Sequence, residues 1–254
     1  MKGLFMIIGN IPNNIKSLDQ QHSATLNHVD FLNLVKNKYK IEMNVILSVY
    51  SNQNIKSICE LYTEFNPISI NHNTYIPLKK HFDLAISKAK EDFILHEVDF
   101  MFYFKIDLFL QKTFHNMFNP WDGRILFPAI SWPYYVTIVT DDNNKISNHP
   151  RIIDTMMFVP KRFFTPIYNL KENCTTCNLW GHLYLEGVNY NYIDTYINTY
   201  QYDRNRECNP LYYNIYNNTC IKEQPKYTYF NKDKFMQKYN NQFENKLSFM
   251  AFNN

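Results

Sequence analysis

Two rhythms of apolar and polar positions divide the first half of this chain. Leu4 to Ile8 is an unbroken apolar run and predicts a buried strand. The polar, Asn-rich stretch 9–21, with Pro12, predicts a loop. From Ser23 to Tyr39 the apolar residues Leu26, Val29, Phe31, Leu32, Leu34 and Val35 recur at helical spacing. Met43 to Val49 predicts a second strand. Ile55 to Phe65 predicts a helix carrying Ile55, Ile58, Cys59 and Tyr62 on one face. A short strand at Ile68 to Ile70 and a helix over Leu78 to Glu91 follow. The run Val98 to Phe109 then has an aromatic middle, Phe100-Met101-Phe102-Tyr103-Phe104, that is apolar on both faces of any strand. Such a strand belongs between two helix layers in a mostly parallel sheet.

The second half is less regular. Asn119-Pro120-Trp121-Asp122-Gly123 is a strong turn signal. Strands are expected at Arg124 to Ala129 and at Asp154 to Val159, the latter entered through Arg151-Ile152-Ile153 and stopped by Pro160. A polar turn lies at 141–144. Phe163 to Tyr168, Leu179 to Leu185 and Phe235 to Leu247 read as helical, Val188 to Tyr202 as strand or irregular, and Tyr212 to Tyr216 fits either state. Strands alternating with helices predict an α/β fold with a central, mostly parallel sheet flanked by helices and an irregular C-terminal half. No repeat or linker interrupts the chain. We therefore expect one domain over residues 1–254, with a ligand groove between residues 1–130 and residues 131–254.

Composition narrows the functions. Five glycines in 254 residues form neither a dinucleotide fingerprint nor a P-loop. Any nucleotide must be held by side chains and isolated amides. A net charge of +3 without a dense basic stripe argues against nucleic acid as a partner. No apolar run reaches membrane-spanning length, and the apolar N-terminal stretch is too short for a secretory signal. Five cysteines, an odd number, then suggest reduced thiols and a cytoplasmic setting, the host cytoplasm if the chain is viral. The 34 asparagines fit an AT-rich genome. Nothing in the pattern sets an oligomeric state.

Charged and polar residues at strand ends are the candidate chemistry. Ligands in open α/β sheets bind beyond the carboxyl ends of the strands. Lys105 and Asp107 fall at such an end, and Ser48 to Ser51 close the second predicted strand. A carboxylate there needs a partner, such as a divalent cation carrying a phosphate, or else caps the following turn. Asp154 opens a later strand, as a turn cap or as a base. His182 is either a packed histidine or a metal ligand. Cys174, Cys177, His182 and Cys208 could be proposed as a zinc set, but the second pair lacks compact spacing, so free thiols at Cys174 and Cys177 are expected. Trp121, Trp132, Tyr134, Tyr135 and Trp180 lie near predicted loops, as hydrophobic anchors or as faces for a sugar ring.

Several of these segments together resemble GT-A-type glycosyltransferases, of the small soluble kind found in bacterial polysaccharide clusters and in large DNA viruses, including the chlorella viruses. Asn44 to Ser51 is similar to their second strand. Phe102 to Phe109 resembles their Arg-x-Asp-Leu element, the counterpart of an Asp-x-Asp metal motif. Pro150 to Pro160 resembles a later strand with an Asp before an apolar run, and Asn209-Pro210-Leu211-Tyr212 a short C-terminal motif. The likeness covers roughly residues 1–215. It implies transfer of a hexose or deoxyhexose from a nucleoside-diphosphate sugar to a sugar hydroxyl of a glycan, with a viral capsid or surface glycan as one such acceptor. Ser48, Tyr50 and Ser51 would contact the nucleotide, Lys105 and Asp107 the diphosphate, and Asp154 the acceptor. Lys105 stands where the motif's first Asp would be. Either Asp107 and His182 hold Mn²⁺ or Mg²⁺ with the diphosphate oxygens, or Lys105 takes over part of the metal's role. The alternative is a non-catalytic carbohydrate-binding or virion-associated protein that keeps the fold.

Overall fold

The computed structural model describes residues 1–11, 15–50, 55–128, 130–139, 145–152, 155–170, 182–183, 186–196, 200–201 and 211–214. Its centre is a sheet of seven strands. β1 (Lys2–Asn10), β2 (Glu42–Tyr50), β3 (Ile68–His72) and β4 (Phe100–Lys105) are parallel, with β1 between β2 and β4. Next to β4 lies β9 (Met156–Pro160), antiparallel to it. Beyond come β6 (Ile125–Phe127) and β10 (Ile193–Thr195), parallel to each other. The order across the sheet is β10-β6-β9-β4-β1-β2-β3. The expected mostly parallel sheet flanked by helices is the architecture found.

Alternation along β1 and β4 explains why both read as continuously apolar. Leu4, Met6, Ile8, Met101 and Tyr103 enter one core, with Phe82, Ala85 and Ile86 of α3 (Leu78–Glu91). Phe5, Ile7, Phe100, Phe102 and Phe104 enter the other, with Phe31, Leu32 and Val35 of α1 (Ile15–Tyr39) and Phe114 of α5 (Lys112–Met117). A sheet covered on both faces has no polar side to show. Gly3 is required by close packing: a Cβ there would meet the Phe100 ring at 2.4 Å.

Two expectations need correction, and three elements were not foreseen. α1 begins by Ile15, where a loop to residue 21 was expected. Its first turns escape the apolar rhythm because Gln21, Thr25 and His28 face inward and are fully buried. The helix expected over 55–65 stops at Glu60, as α2 (Ile55–Glu60), and a 3-10 turn at Thr63–Phe65 follows it. A short helix, α4 (Ile94–Glu97), precedes β4. The apolar run to Phe109 is two strands. β4 ends at Lys105, and β5 (Leu108–Leu110) pairs antiparallel with β12 (Tyr212–Asn214) in a separate ribbon. Residues 130–152 hold a hairpin that hydrophobic pattern did not predict, β7 (Ile130–Val139) with β8 (Lys145–Ile152). The two-residue β11 (Tyr200–Gln201) pairs beside β7. β8 reads Lys-Ile-Ser-Asn-His-Pro-Arg-Ile and lacks a continuous apolar face.

α6 (Phe164–Tyr168) packs with Val159, Leu183 and Ile193 on the α3 side. No described helix is long and apolar enough to cross a membrane. The expected helix at 235–247 and most of the one at 179–185 lie outside the described residues.

Candidate functional site

The chain winds outward from β1 through β2 to β3, then returns to the other side of β1 as β4. Strand order therefore reverses between β1 and β4. The crevice beyond the carboxyl ends at such a switch point is where open α/β sheets bind ligands. Ile8 is the register partner of Lys105, and the Ile106 amide donates to the Ile8 carbonyl at 2.9 Å. Asp107 sits in the two-residue turn that follows, half-buried, and the neighbouring Lys105 is also half-buried. Gly9 ends β1 with φ +136, a backbone shape that side chains rarely adopt. A Cβ there would lie 3.4 Å from the Ile106 side chain, and Gly9 is buried against that residue where the two strands part.

β9 reaches this edge from the opposite direction. The Lys105 amide donates to the Thr155 carbonyl at 3.0 Å. The Thr155 hydroxyl is buried and has no hydrogen-bond partner among the described residues. Asp154 and Ser51 lie outside the described residues, as do Cys174, Cys177, Cys208 and Trp180. Below the edge on the α3 side, Ile8, Leu78, Lys79, Phe82, Tyr103, Met157 and Leu170 line a small recess. The Lys79 ammonium there is 2.5 Å from Asp83.

Beside the switch point a chain of hydrogen bonds crosses β3, β2, α3 and β1. The Asn10 amide group donates to the Ile76 carbonyl at 3.0 Å, which turns its oxygen toward His81 Nε2 at 3.2 Å. His81 Nε2 must therefore donate, and its Nδ1 accepts from the Ser48 hydroxyl at 3.2 Å. Ser48 Oγ in turn accepts from His72 Nε2 at 3.1 Å. Every donor meets an acceptor with both imidazoles neutral. Burial, and then the adjacent His72, pushes the His81 imidazole down to about 4. Burial lowers His72 as well. Ser48 is thus fully buried and its hydroxyl is committed to two histidines. Tyr50, half-buried, meets the exposed Tyr75 edge-to-face at 6.3 Å on the same rim.

His28, deep under α1, is also driven down to about 4 by burial. An imidazole kept neutral by folding lets the unfolded chain bind more protons. Stability should therefore fall as the pH drops below about 6.5, with the loss complete near pH 4. His28 alone accounts for roughly 3 kcal/mol of that loss. Urea denaturation between about pH 7 and pH 4 checks this. A flat profile across the window would mean that these imidazoles are solvated or already charged.

Sequence reading put Lys105 and Asp107 at the end of a central strand, and they lie at the carboxyl edge of β4. It missed Asn10, His72 and His81, which are far apart in the chain. Their only signal was position: Asn10 follows the first strand and His72 the third. The His182 carbonyl accepts from the Glu186 amide at 3.0 Å, next to the buried Leu183. Among the described residues no three His, Cys, Asp or Glu side chains converge to hold a metal ion. A cation on Asp107 would share its coordination with the oxygens of a bound diphosphate. Magnesium is often held in that way, by one or two carboxylates and substrate phosphates.

No family model matches the chain, and no curated protein matches it. Solved structures do. A mutant of Drosophila β1,4-galactosyltransferase 7 in complex with manganese, UDP-Gal and xylobiose is 8% identical with a TM-score of 0.44, covering 92% of this chain and 78% of that one. A glycosyltransferase involved in glycosylation of the major capsid of PBCV-1 is 10% identical with a TM-score of 0.41, covering 84% and 93%. The 4-diphosphocytidyl-2C-methyl-D-erythritol synthase of Anaerococcus prevotii is 11% identical with a TM-score of 0.43, covering 78% and 88%. The likeness is too distant to give this chain a donor or an acceptor.

Proposed function

We propose that this protein is a glycosyltransferase that moves a hexose or deoxyhexose from a nucleoside-diphosphate sugar to a sugar hydroxyl of a glycan. The observation that carries the reading is the β1/β4 switch point, with Lys105 and Asp107 at its carboxyl edge. Transfer from such a donor releases a diphosphate, and the negative charge that grows on it must be stabilised. Lys105 offers a fixed point charge. Asp107 is the carboxylate that would hold Mn²⁺ or Mg²⁺. The ion would neutralise the departing diphosphate. Residues 1–130 would then form the donor half, and residues 131–254, with Asp154 as the acceptor-side carboxylate, the acceptor half. Tyr50 and Ser51 would line the nucleotide, with His182 as a further metal ligand. Ser48 would act through His72 rather than by touching the nucleotide. A cytoplasmic setting suits the free thiol of Cys59.

A thermal-shift series with UDP, GDP, ADP and CDP, each with and without Mn²⁺, tests this reading. A ligand at about 100 times its Kd stabilises by about 2.7 kcal/mol, which is several degrees in melting temperature. One nucleotide should stand out, and more so with the metal. If every nucleotide leaves the melt unmoved while glycans shift it, the protein is a carbohydrate-binding module on a transferase-like sheet.

A further inference from the structure

Among the described residues, β5, the strand that follows Asp107, pairs with a strand on one side only. The β5 register pairs Leu110, Phe109 and Leu108 with Tyr212, Tyr213 and Asn214, and the Gln111 amide donates to the Leu211 carbonyl at 2.7 Å. In extended chain, successive carbonyls point to opposite sides. Those of Leu108 and Leu110 in β5 therefore share the side away from β12, and Ile106, in the turn before β5, also directs its carbonyl to α1. A buried carbonyl without a donor is costly.

Helix α1 supplies the donors. Gln21 Nε2 donates to the Ile106 carbonyl at 2.7 Å. His28 Nε2 donates to the Leu108 carbonyl at 2.5 Å, while its Nδ1 accepts from the Tyr62 hydroxyl at 2.7 Å. Asn27 Nδ2 donates to the Leu110 carbonyl at 3.0 Å, and its Oδ1 accepts from the Leu110 amide at 2.7 Å. One helix thus serves three alternate carbonyls in succession. The polarity is confined to this stretch. Further along the same helix Phe31, Leu32 and Val35 are fully buried, as the inner face of a helix ordinarily is. Gln21 and His28 are just as buried, and a buried polar side chain is retained only where it is hydrogen-bonded.

We propose that Gln21, Asn27 and His28 are positioning residues. Their side chains hydrogen-bond the backbone of 106–110 as a neighbouring strand would and so set it on both sides of Asp107. The role in the reaction rests on the transferase reading above; the holding of the backbone does not. Ile106 and Leu108, the residues flanking Asp107, are each anchored from α1. The carboxylate at the switch point then does not drift when a dianionic diphosphate and its counterion arrive.

Three variants test this. Gln21→Met keeps the bulk and removes the donor. His28→Leu removes both hydrogen bonds. His28→Gln keeps a donor and an acceptor and should behave like the wild type. Hydrogen exchange is measured over 106–111 and over β1–β2 as an internal control. Binding of UDP, GDP, ADP and CDP is measured by calorimetry, with and without Mn²⁺. In Gln21→Met and His28→Leu, exchange over 106–111 should quicken by about tenfold while β1–β2 is unchanged. The Mn²⁺-dependent part of nucleotide affinity should fall on the order of tenfold, as outer partners of a metal ligand generally cost, and the metal-free part should hold. Unchanged exchange would overturn the clamp. Faster exchange with unchanged Mn²⁺-dependent affinity would overturn the positioning role. A wild type that binds none of UDP, GDP, ADP and CDP would overturn the transferase reading, and the exchange arm would still decide whether α1 holds the turn. If His28→Leu does not fold, Gln21→Met decides alone.

Discussion

Asp107→Asn should lower sugar transfer by about 100-fold or more while the protein folds normally. The substitution keeps the size of the side chain and most of its hydrogen bonding, and removes one charge. If that charge holds a cation against the departing diphosphate, the loss falls on the transition state, where losing a single stabilising group commonly costs two to three orders of magnitude. Mn²⁺-dependent binding of the donor should weaken in parallel. Lys105→Ala is the informative contrast. It should be the more damaging change only if the enzyme works without metal, and then a chelator should leave the wild-type rate untouched. Transfer and donor hydrolysis, measured for both variants with and without chelator, separate these mechanisms. A fully active Asp107→Asn would remove this strand end from the chemistry, whatever else the sheet does.

Phe102→Ala should destabilise the protein by about 3–5 kcal/mol. Phe102 is fully buried in the middle of the sheet. Its ring meets Phe5 at 6.2 Å, Phe31 at 6.0 Å, Phe114 at 5.7 Å, Phe104 at 5.5 Å and Phe118 at 5.4 Å. Rings from β1, α1, β4 and α5 cannot all collapse into the space it leaves, so a cavity penalty adds to the lost burial. Against a total stability of roughly 5–15 kcal/mol, that is a large fraction. Phe93→Ala is the control. Phe93 is 70% exposed, and its removal should change stability by no more than about 0.5 kcal/mol. Urea denaturation midpoints of the two variants give the comparison. A Phe102→Ala protein as stable as the control would mean that this aromatic layer repacks freely.

What could be read from the chain was what burial writes into it locally. The runs at 4–8, 45–47 and 100–104 are apolar at every position because both faces of the sheet are covered, and each lies within a strand of the central sheet. Lys105 and Asp107 stood out because two charges ended such a run, and they do sit at the carboxyl edge. The helix over 78–91 kept its rhythm because only one of its faces is buried.

The tertiary structure decided everything that depends on which segments meet. Gln21, Thr25 and His28 look like a solvent-facing stripe until the carbonyls of Ile106 and Leu108 are brought beneath α1; the start of the helix was hidden for the same reason. β7 and β8 are held by pairing with each other, and which segments pair is not written in the hydrophobic pattern of either. Asn10, Ser48, His72 and His81 form one neutral hydrogen-bonded chain only because the parallel register places the ends of β1, β2 and β3 side by side. Hydrophobic pattern records how deeply a residue is buried. It carries no record of which polar partner waits there, and the candidate site is made of such partners.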